Sequence, residues 1–504
     1  MDTKELLKKG FSGAVSQYMA TIVNAIFGFF ISISIIRNLT VEEFGVYNFI
    51  FSVIILAQII TSFGLPQVIQ RYLPEYRQKN NNQFQKQLVG KAMLIRFVAG
   101  FAFIIILLSI GSRIGSLFNL PTYAIDLFPV LALIILLVLE SQILGDAALL
   151  ALLETEYWNL CKVIYTILKL VLFIGAILLG YGLKGIMFAW IIIEVLLFIL
   201  FLIKANSIIF SLPKGKEDAA IESKTRIINF GKYNYLNNLM YFFRDKASDV
   251  FILSYFIGAK AVGLYSFAFG IPYALMQFSP GAQLKTLLSQ LLIRRFSMTN
   301  KKEELLYYFK FVNRFIFFIM APVFAISIIL SDKIILYMFN PEYIKVKNLF
   351  ILSLSFMAIQ QFAVPYYAIL NALEKGRIIF ISSLAGLYNL TLAFILIPLL
   401  GVLGAIIATG SAGILLILYY YFALKKSIKL IYPWRSFARC SLNIIFMALI
   451  VFFMKRFIFD IFFLFFVVSV GVSAYFIISY INKSFEARDR ELINSAIGRR
   501  MWVF

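Results

Sequence analysis

The stretch FVAGFAFIIILLSIG (residues 97–111) contains no charged side chain. It is apolar on every face, whereas a helix of a soluble protein needs a polar side toward water. Comparable runs recur along the chain, for example FPVLALIILLVLE (residues 128–140) and IIFMALIVFFM (residues 444–454). With its flanks, each run reaches the roughly 20 apolar residues that cross a bilayer as a helix. The sequence therefore predicts an all-α polytopic membrane protein.

The composition supports the same class. The 504 residues are 62% hydrophobic and only 14% charged, with a mean hydropathy of +0.89. Soluble domains are about 45–50% apolar and about 25% charged. The apolar runs predict about 14 transmembrane helices, centred near residues 23, 55, 99, 136, 169, 193, 243, 272, 318, 358, 386, 412, 446 and 470.

The basic residues are distributed unequally between alternate connections. Of the 47 Lys and Arg, 32 lie at the termini or after even-numbered helices, and nine lie after odd-numbered helices. Because cytoplasmic loops are enriched in Lys and Arg, this distribution predicts that both termini are cytoplasmic. The net charge of +22 then reflects topology, and without a basic soluble domain it does not indicate nucleic-acid binding.

Few residues suited to catalysis or metal binding are present. The chain has no histidine, and its two cysteines, Cys161 and Cys440, lie in different halves of the sequence. Two distant thiols form neither a disulfide framework nor a metal site, so we expect no metal and no other cofactor. The connections are too short for an extramembrane catalytic domain, and no G-x-x-x-x-G-K-[ST] motif for ATP occurs. We therefore expect a protein that is neither an enzyme nor an ATP-driven pump.

The two halves of the chain resemble each other. The segment LTVEEFGVYNF (residues 39–49) aligns with IGAKAVGLYSF (residues 257–267) at an offset of 218, which matches Gly45 with Gly263. Two further pairs of segments match at offsets close to 220. A period of six helices gives both halves the same orientation, as in transporters built from parallel repeats.

The repeat predicts four parts of the chain. They are a six-helix bundle (residues 1–205), a cytoplasmic linker (206–225), a second six-helix bundle (226–424), and two extra transmembrane helices with a cytoplasmic tail (425–504). Two parallel bundles favour a transporter with its substrate path between them. The alternative is a duplicated scaffold or membrane enzyme.

Four segments carry a family resemblance. They are RNLTVEEFGVYNF (residues 37–49), FGLPQVIQRYLPEY (63–76), GAKAVGLYSFAFGIP (258–272) and LLGVLGAIIATGSAGI (399–414). With six, six and two helices, the chain resembles the polysaccharide flippase branch of the multidrug/oligosaccharidyl-lipid/polysaccharide exporter superfamily. The resemblance extends over nearly the whole chain.

This resemblance implies a V-shaped pair of bundles in the cell membrane that moves a polyprenyl-pyrophosphate-linked oligosaccharide to the outer leaflet. The implied partners are that lipid-linked oligosaccharide, membrane lipids and other polysaccharide assembly proteins. Flippases for cell-wall precursors in this superfamily typically carry charge in the first helix, and this chain has none between Lys9 and Arg37. Two alternatives stay open: a cation-coupled multidrug exporter of the same superfamily, and a membrane glycan polymerase or ligase.

Four charges interrupt the apolar segment YFFRDKASDVFILSYF (residues 241–256). In one continuous helix they would lie near mid-bilayer, where a charge facing lipid costs about 2.5–3.5 kcal/mol. We therefore expect all four to face the protein interior or a water-filled cavity. Arg244 and Lys246 are candidate contacts for the pyrophosphate. Asp245 and Asp249 are candidates for ion coupling, and a structural Lys246–Asp249 pair is the alternative.

Other charges lie deep inside predicted helices. Arg96 and Lys169 are candidate contacts for the pyrophosphate, because guanidinium and ammonium groups form charge-assisted hydrogen bonds with its oxygens. Glu140 and Glu194 are candidates for ion coupling, and a neutralised Glu140–Lys169 pair is the alternative. Charges nearer the helix ends, such as Arg314, are expected to reach the membrane surface.

Uncharged residues add two further expectations. Gln17 and Asn24, seven residues apart on one face of the first helix, are candidate contacts for sugar hydroxyls or for a neighbouring helix. Pro272 and Pro280 in the eighth helix are candidate hinges, because each proline leaves a backbone carbonyl without its helical partner.

Overall fold

The computed structural model describes residues 3–213, 224–243, 245–277, 302–425, 428–497 and 502–504, and all regular secondary structure in these ranges is helical. The chain divides into two compact units, Met1–Gly263 and Leu264–Phe504. The segment expected to be the linker, residues 206–225, falls within the first unit. The domain boundaries drawn from the sequence remain predictions.

The first unit contains the following α-helices. They are α1 (Thr3–Asn38), α2 (Val41–Ile60), α3 (Leu65–Gln78), α4 (Asn82–Ser109), α5 (Gly111–Leu117), α6 (Thr122–Ile125), α7 (Phe128–Ser141), α8 (Thr155–Leu178), α9 (Gly182–Ala205), α10 (Lys224–Phe242) and α11 (Lys246–Phe256). Two π-helical segments, Gln142–Leu149 and Asn206–Phe210, continue α7 and α9. The helix α12 (Ala259–Ala268) begins in this unit.

The second unit contains the remaining helices of the described residues. They are α13 (Gly270–Gln277), α14 (Lys302–Ile329), α15 (Ser331–Met338), α16 (Lys347–Gln360), α17 (Ala363–Ala372), α18 (Gly376–Ser383), α19 (Ala385–Leu400), α20 (Val402–Lys425), α21 (Trp434–Met454), α22 (Ile461–Asn482) and α23 (Ala487–Ile497). Short 3₁₀ turns occupy Pro341–Val346 and Lys455–Phe457.

Twelve helical segments of the described residues are long and apolar enough to cross a membrane. They correspond to twelve of the predicted helices. The predicted helices near residues 243 and 272 are not among them. The first of these is split into α10 and α11, and the second is represented by α12 and α13 up to Gln277. The all-helical membrane fold is confirmed, whereas the count of fourteen is not.

Local sequence explains where several helices begin. At the start of α2, the Thr40 side chain accepts a hydrogen bond from the Glu43 amide (3.2 Å), and Glu43 accepts one from the Thr40 amide (3.0 Å). This capping box satisfies two amides that the helix itself leaves unpaired. Asp460 is the N-cap of α22, and its Oδ1 accepts a hydrogen bond from the Phe463 amide at 2.7 Å. Within the spans, helical pairing satisfies the backbone groups that lipid cannot.

The core of the first unit lies around the π-helical segment Gln142–Leu149. Ile143 and Leu144 are fully buried there and cluster with Phe201 of α9. Gly145 makes this approach possible, because a Cβ built at that position would lie 2.6 Å from Cζ of the Phe201 ring. Such π-helical interruptions are frequent at functional sites. This core fixes α7 and α9 relative to each other and thereby positions the charges described next.

Candidate intramembrane charge site

Lys169 lies in a box of aromatic rings inside the first unit. Its Nζ is 4.6 Å from the ring centroid of Trp190, 5.2 Å from that of Phe173 and 5.7 Å from that of Tyr165. A cation within about 6 Å of an aromatic ring centroid is attracted by the ring quadrupole. The box therefore stabilises an ammonium charge in a membrane-spanning helix, where charge is otherwise costly.

The same rings also orient Glu194 of α9. Tyr165 Oη donates a hydrogen bond to its carboxylate at 2.7 Å, and Trp190 Nε1 donates one at 3.0 Å. The Glu194 side chain is buried and shares the contacts of Tyr165 and Trp190 with Lys169. We call Lys169, Glu194, Tyr165, Phe173 and Trp190 the lysine box.

A second lysine of α8 has a comparable environment. Lys162 Nζ lies 3.2 Å from Asp146 Oδ1 and 5.3 Å from the ring centroid of Trp158. Trp158 Nε1 also donates to Asp146 Oδ1 at 2.8 Å. Seven residues separate Lys162 from Lys169, which places them on one face of α8 about 10 Å apart. One helix face thus carries two lysines, each beside a tryptophan that donates a hydrogen bond to a carboxylate.

Arg96 lies at the junction of α4, α7 and the π-helical segment. It is 0% exposed and donates from Nη2 to the Gln58 carbonyl at 3.2 Å and to the Gln142 side chain. Glu140, which is 7% exposed, acts on it electrostatically. Lys169 and Glu194 contact the same Trp190 side chain, whereas neither oxygen of Glu140 accepts a hydrogen bond within the described residues.

Several polar atoms at this junction have no hydrogen-bond partner among the described residues. They are both carboxylate oxygens of Glu140 and the Nε and Nη1 atoms of Arg96. Buried polar atoms without partners are costly, and such atoms are normally satisfied by water or a ligand. The Arg96–Glu140 junction is thus suited to hold water or a proton inside the bundle.

The charges of residues 241–256 do not lie on one continuous helix, which is the arrangement that the mid-bilayer estimate assumed. Helix α10 ends at Phe242, and α11 begins at Lys246. Asp245 is the N-cap of α11, and its Oδ1 accepts a hydrogen bond from the Ala247 amide at 3.0 Å. Asp249 is fully buried in the first turn of α11. The predicted contact Arg244 lies outside the described residues.

The remaining candidate residues are distributed over both units. In α1, Gln17 is exposed and Asn24 is partly buried. This helix packs along α8, where Asn159 Nδ2 donates to Ser16 Oγ at 3.0 Å. Pro272 is the third residue of α13, directly after the interruption between α12 and α13. Pro280 lies outside the described residues.

The sequence predicted the charges of this site but not the aromatic box. Tyr165 and Phe173 flank Lys169 at four residues on either side, which places all three on one face of α8. That spacing was available in the sequence as evidence. The contribution of Trp190 could not be predicted from this spacing, because Trp190 lies on the next helix, α9.

Comparison with known proteins gives a family for this chain and solved structures with a similar fold. A sequence model of a family described as polysaccharide biosynthesis protein matches residues 35–348. No curated protein sequence matches the chain. The fold resembles that of the lipid II flippase MurJ in an inward closed conformation, with a TM-score of 0.66, 18% identity, and coverage of 94% of this chain and 98% of that one.

Two transporter structures are also similar. One is an inward-facing multidrug resistance MATE family transporter of the MOP superfamily, with a TM-score of 0.64, 15% identity, and coverage of 82% of this chain and 99% of that one. The other is a mutant of the Vibrio cholerae MATE transporter VcmN, with a TM-score of 0.51, 14% identity, and coverage of 84% of this chain and 98% of that one. At these identities the similarity establishes the fold, which is that of MurJ and the MATE transporters.

Proposed function

The chain belongs to the polysaccharide biosynthesis protein family, and from this premise we propose that it is a membrane flippase for polyprenyl-pyrophosphate-linked oligosaccharide repeat units. The family match over residues 35–348 carries the proposal. The likeness of the fold to a lipid II flippase and to MATE transporters supports it. The head group crosses by alternating access while the polyprenyl tail stays in lipid.

The proposed topology places both termini in the cytoplasm and the protein in the cell membrane. The excess of Lys and Arg in alternate connections supports this orientation. The head group then enters from the cytoplasmic side and leaves on the outer side. No covalent step is part of the proposal, so the protein acts as a transporter without enzymatic activity, alongside other polysaccharide assembly proteins.

The lysine box supports an anionic head group. A pyrophosphate oxygen can accept a charge-assisted hydrogen bond from the Lys169 ammonium. When Lys169 turns toward such a ligand, Glu194 keeps its hydrogen bonds from Tyr165 and Trp190. The Glu194 carboxylate therefore keeps hydrogen-bond donors. This lowers the free-energy cost of moving the Lys169 ammonium toward the pyrophosphate.

The other candidates divide into substrate contacts and coupling groups. Lys246, Gln17, Asn24 and Arg244 remain proposed contacts for the head group. Arg96, which has no exposed surface in this conformation, meets the substrate only after a rearrangement.

Four carboxylates are proposed for ion coupling, namely Glu140, Glu194, Asp245 and Asp249. Glu140 is favoured, because both of its oxygens accept no hydrogen bond within the described residues. Asp245 already has a function as a helix cap, and Glu194 is held by the lysine box. A proton taken up by Glu140 would neutralise a buried carboxylate next to Arg96.

A cation-coupled multidrug exporter is the second candidate, and the MATE fold favours it. Such a protein needs a carboxylate among aromatic rings for its cationic substrate. Glu194, Tyr165 and Trp190 form such a group. In this chain Lys169 already occupies it, so a cationic drug would compete with the protein's own ammonium.

The deciding experiment is translocation in liposomes. Purified protein is reconstituted, and the appearance of lipid-linked oligosaccharide on the far side is followed for wild type, Lys169→Met and Lys184→Met. Lys184 is an exposed lysine of α9 and serves as the matched control. We expect transport by wild type and Lys184→Met, and at least a tenfold slower rate for Lys169→Met at unchanged melting temperature.

Two outcomes would contradict the proposal at different levels. Efflux of a cationic dye without transport of any lipid-linked sugar would replace the flippase with the drug exporter. Transport that Lys169→Met leaves unchanged would keep the flippase and assign Lys169 to bundle structure.

A further inference from the structure

Helix α2 makes a backbone-to-backbone contact at its first turns, within the first unit. A Cβ built at Gly45 would lie 2.7 Å from the carbonyl carbon of Ala259 and 3.0 Å from the amide nitrogen of Gly263, with the Ala259 oxygen closer still. A Cβ built at Gly263 would lie 3.0 Å from the carbonyl carbon of Val41. Any side chain at either position would therefore force α2 and α12 apart.

This contact is reciprocal. Gly45 meets Ala259, and Gly263 meets Val41. The two residues on α12 follow their counterparts on α2 by 218 positions, which is the offset of the internal repeat. Ala259 lies four residues before Gly263, and Val41 lies four residues before Gly45. The two helices therefore contact each other in the same way from both sides, as across a two-fold axis.

Apolar rings and hydrogen bonds close the same end of α2. The ring centroid of Phe49 lies 5.3 Å from that of Phe118 and 5.4 Å from that of Phe251. Ser254 Oγ donates to the Phe118 carbonyl at 2.6 Å, and Asn119 Nδ2 donates to the Tyr255 carbonyl at 2.8 Å. Beside the glycine contact, α2 thus packs through Phe49 on Phe118 and on Phe251 of α11, and α11 is hydrogen-bonded to residues 118 and 119.

A second pair of glycines meets just beyond the other end of α2. A Cβ built at Gly64 would lie 2.7 Å from the carbonyl carbon and 2.8 Å from the Cα of Gly231 in α10. The adjacent rings of Phe63 and Tyr235 have centroids 5.7 Å apart. The 20 residues of α2 span about 30 Å, so the two glycine contacts lie near opposite faces of the membrane.

We propose that the Gly45–Gly263 and Gly64–Gly231 contacts are the two gates of the substrate path, the first on the outer side and the second on the cytoplasmic side. The proposal rests on the proposed function, since gates at both ends are needed only if a substrate passes along α2. Both gates are closed in this structure. Glycine suits a gate that must reopen, because backbones in direct contact can separate and return without repacking side chains.

Alanine at these glycines provides the test, because its methyl group blocks closure and leaves opening free. Gly45→Ala is compared with Gly90→Ala, since both glycines are helical and a Cβ at Gly90 meets nothing within 4 Å. Gly64→Ala is compared with Gly180→Ala. These two share a positive φ, 72° and 78°, but a Cβ at Gly180 again meets nothing within 4 Å.

Buried serines next to the gates report their state. Ser254→Cys, at a side chain with 0% exposure, reports the outer gate, and Ser62→Cys reports the cytoplasmic gate. Each is introduced after Cys161 and Cys440 have been replaced by serine, and labelling by a water-soluble maleimide is timed in detergent. We expect Gly45→Ala to speed labelling of Ser254→Cys at least tenfold without speeding that of Ser62→Cys. We expect Gly64→Ala to do the reverse.

Labelling that is equal in the gate variants and in their matched controls would overturn the proposal. So would faster labelling at both reporters in each variant, because general loosening of the fold has that effect. The labelling needs no substrate, so it fails or succeeds independently of the liposome experiment. Selective opening in a protein that transports no lipid-linked sugar would retain the gates and remove the proposed substrate.

Discussion

Arg314 of α14 and Asp489 of α23 form an ion pair in which the two side chains are only 2% and 0% exposed. Glu486 approaches the same guanidinium at 2.6 Å, and Tyr307 Oη donates to Asp489 at 2.9 Å. Trp502 adds an aromatic contact, since its ring centroid lies 5.7 Å from that of Phe318. The C-terminal segment is therefore attached to α14 within the second unit.

Breaking this pair is expected to destabilise the protein strongly. Arg314→Met would leave Asp489 buried without its cation, which typically costs about 3–5 kcal/mol. The expected result is a clearly lower melting temperature in detergent. Glu486→Gln is the control, because the Glu486 side chain is 66% exposed and exposed pairs contribute about 1 kcal/mol or less. Equal melting temperatures for the two variants would contradict a structural role of the pair.

Asp245 offers a test that separates capping from charge. Asp245→Ala removes the acceptor of the Ala247 amide and is expected to cost about 1 kcal/mol of stability. Asp245→Asn keeps an acceptor oxygen but removes the charge, so it should retain both stability and transport if capping is the role. A loss of transport in a stable Asp245→Asn protein would instead support ion coupling by this carboxylate.

The pair of Asp332 and Lys455, with Oδ1 and Nζ 2.7 Å apart, predicts a dependence of stability on pH. Burial acts to raise the pKa of Asp332, but the hydrogen bond and charge of Lys455 hold this pKa below its ordinary value of 3.8. The pair therefore stabilises the fold above the ordinary pKa, and its contribution is lost as the pH falls through the depressed value.

The variant Lys455→Met tests this dependence. It is expected to lower the melting temperature at about pH 7, by a contribution of about 1 kcal/mol or less. Near pH 3, below the ordinary pKa of 3.8, the difference from wild type should shrink, because the unfolded chain then takes up a proton at Asp332 that the folded pair with Lys455 disfavours. Arg456→Met, at the exposed neighbouring position, controls for lost surface charge. A difference that is the same at both pH values would contradict the prediction.

Much of the fold could be predicted from apolar runs alone. Twelve spans lie where the sequence places them, because the need to satisfy every backbone group in lipid leaves a helix as the structure for each run. The break before α11 was missed. An apolar run with charges looks continuous in sequence, whereas the Asp245 side chain competes for the amide of Ala247 and starts a new helix.

The partners of buried charges were harder to predict. Arg314 was expected to reach the membrane surface, and this expectation is wrong because its partner Asp489 is buried with it. Arg314 and Asp489 are far apart in the sequence and lie on different helices, so no helical periodicity predicts that they pair. The repeat was different, since its offset of 218 was visible in the sequence. Only the structure shows that Gly45 and Gly263 lie at the same contact between α2 and α12.

The Arg314–Asp489 pair also has a consequence for biosynthesis. At about 5–20 residues per second, the ribosome reaches Asp489 roughly 10–35 s after Arg314. During that interval α14 carries a guanidinium whose buried partner has not yet been made. Until Asp489 is made, burial of the Arg314 guanidinium has no carboxylate to offset its cost. The final packing of α14 around Arg314 therefore has to follow the synthesis of α23, which makes this part of the second unit late to assemble.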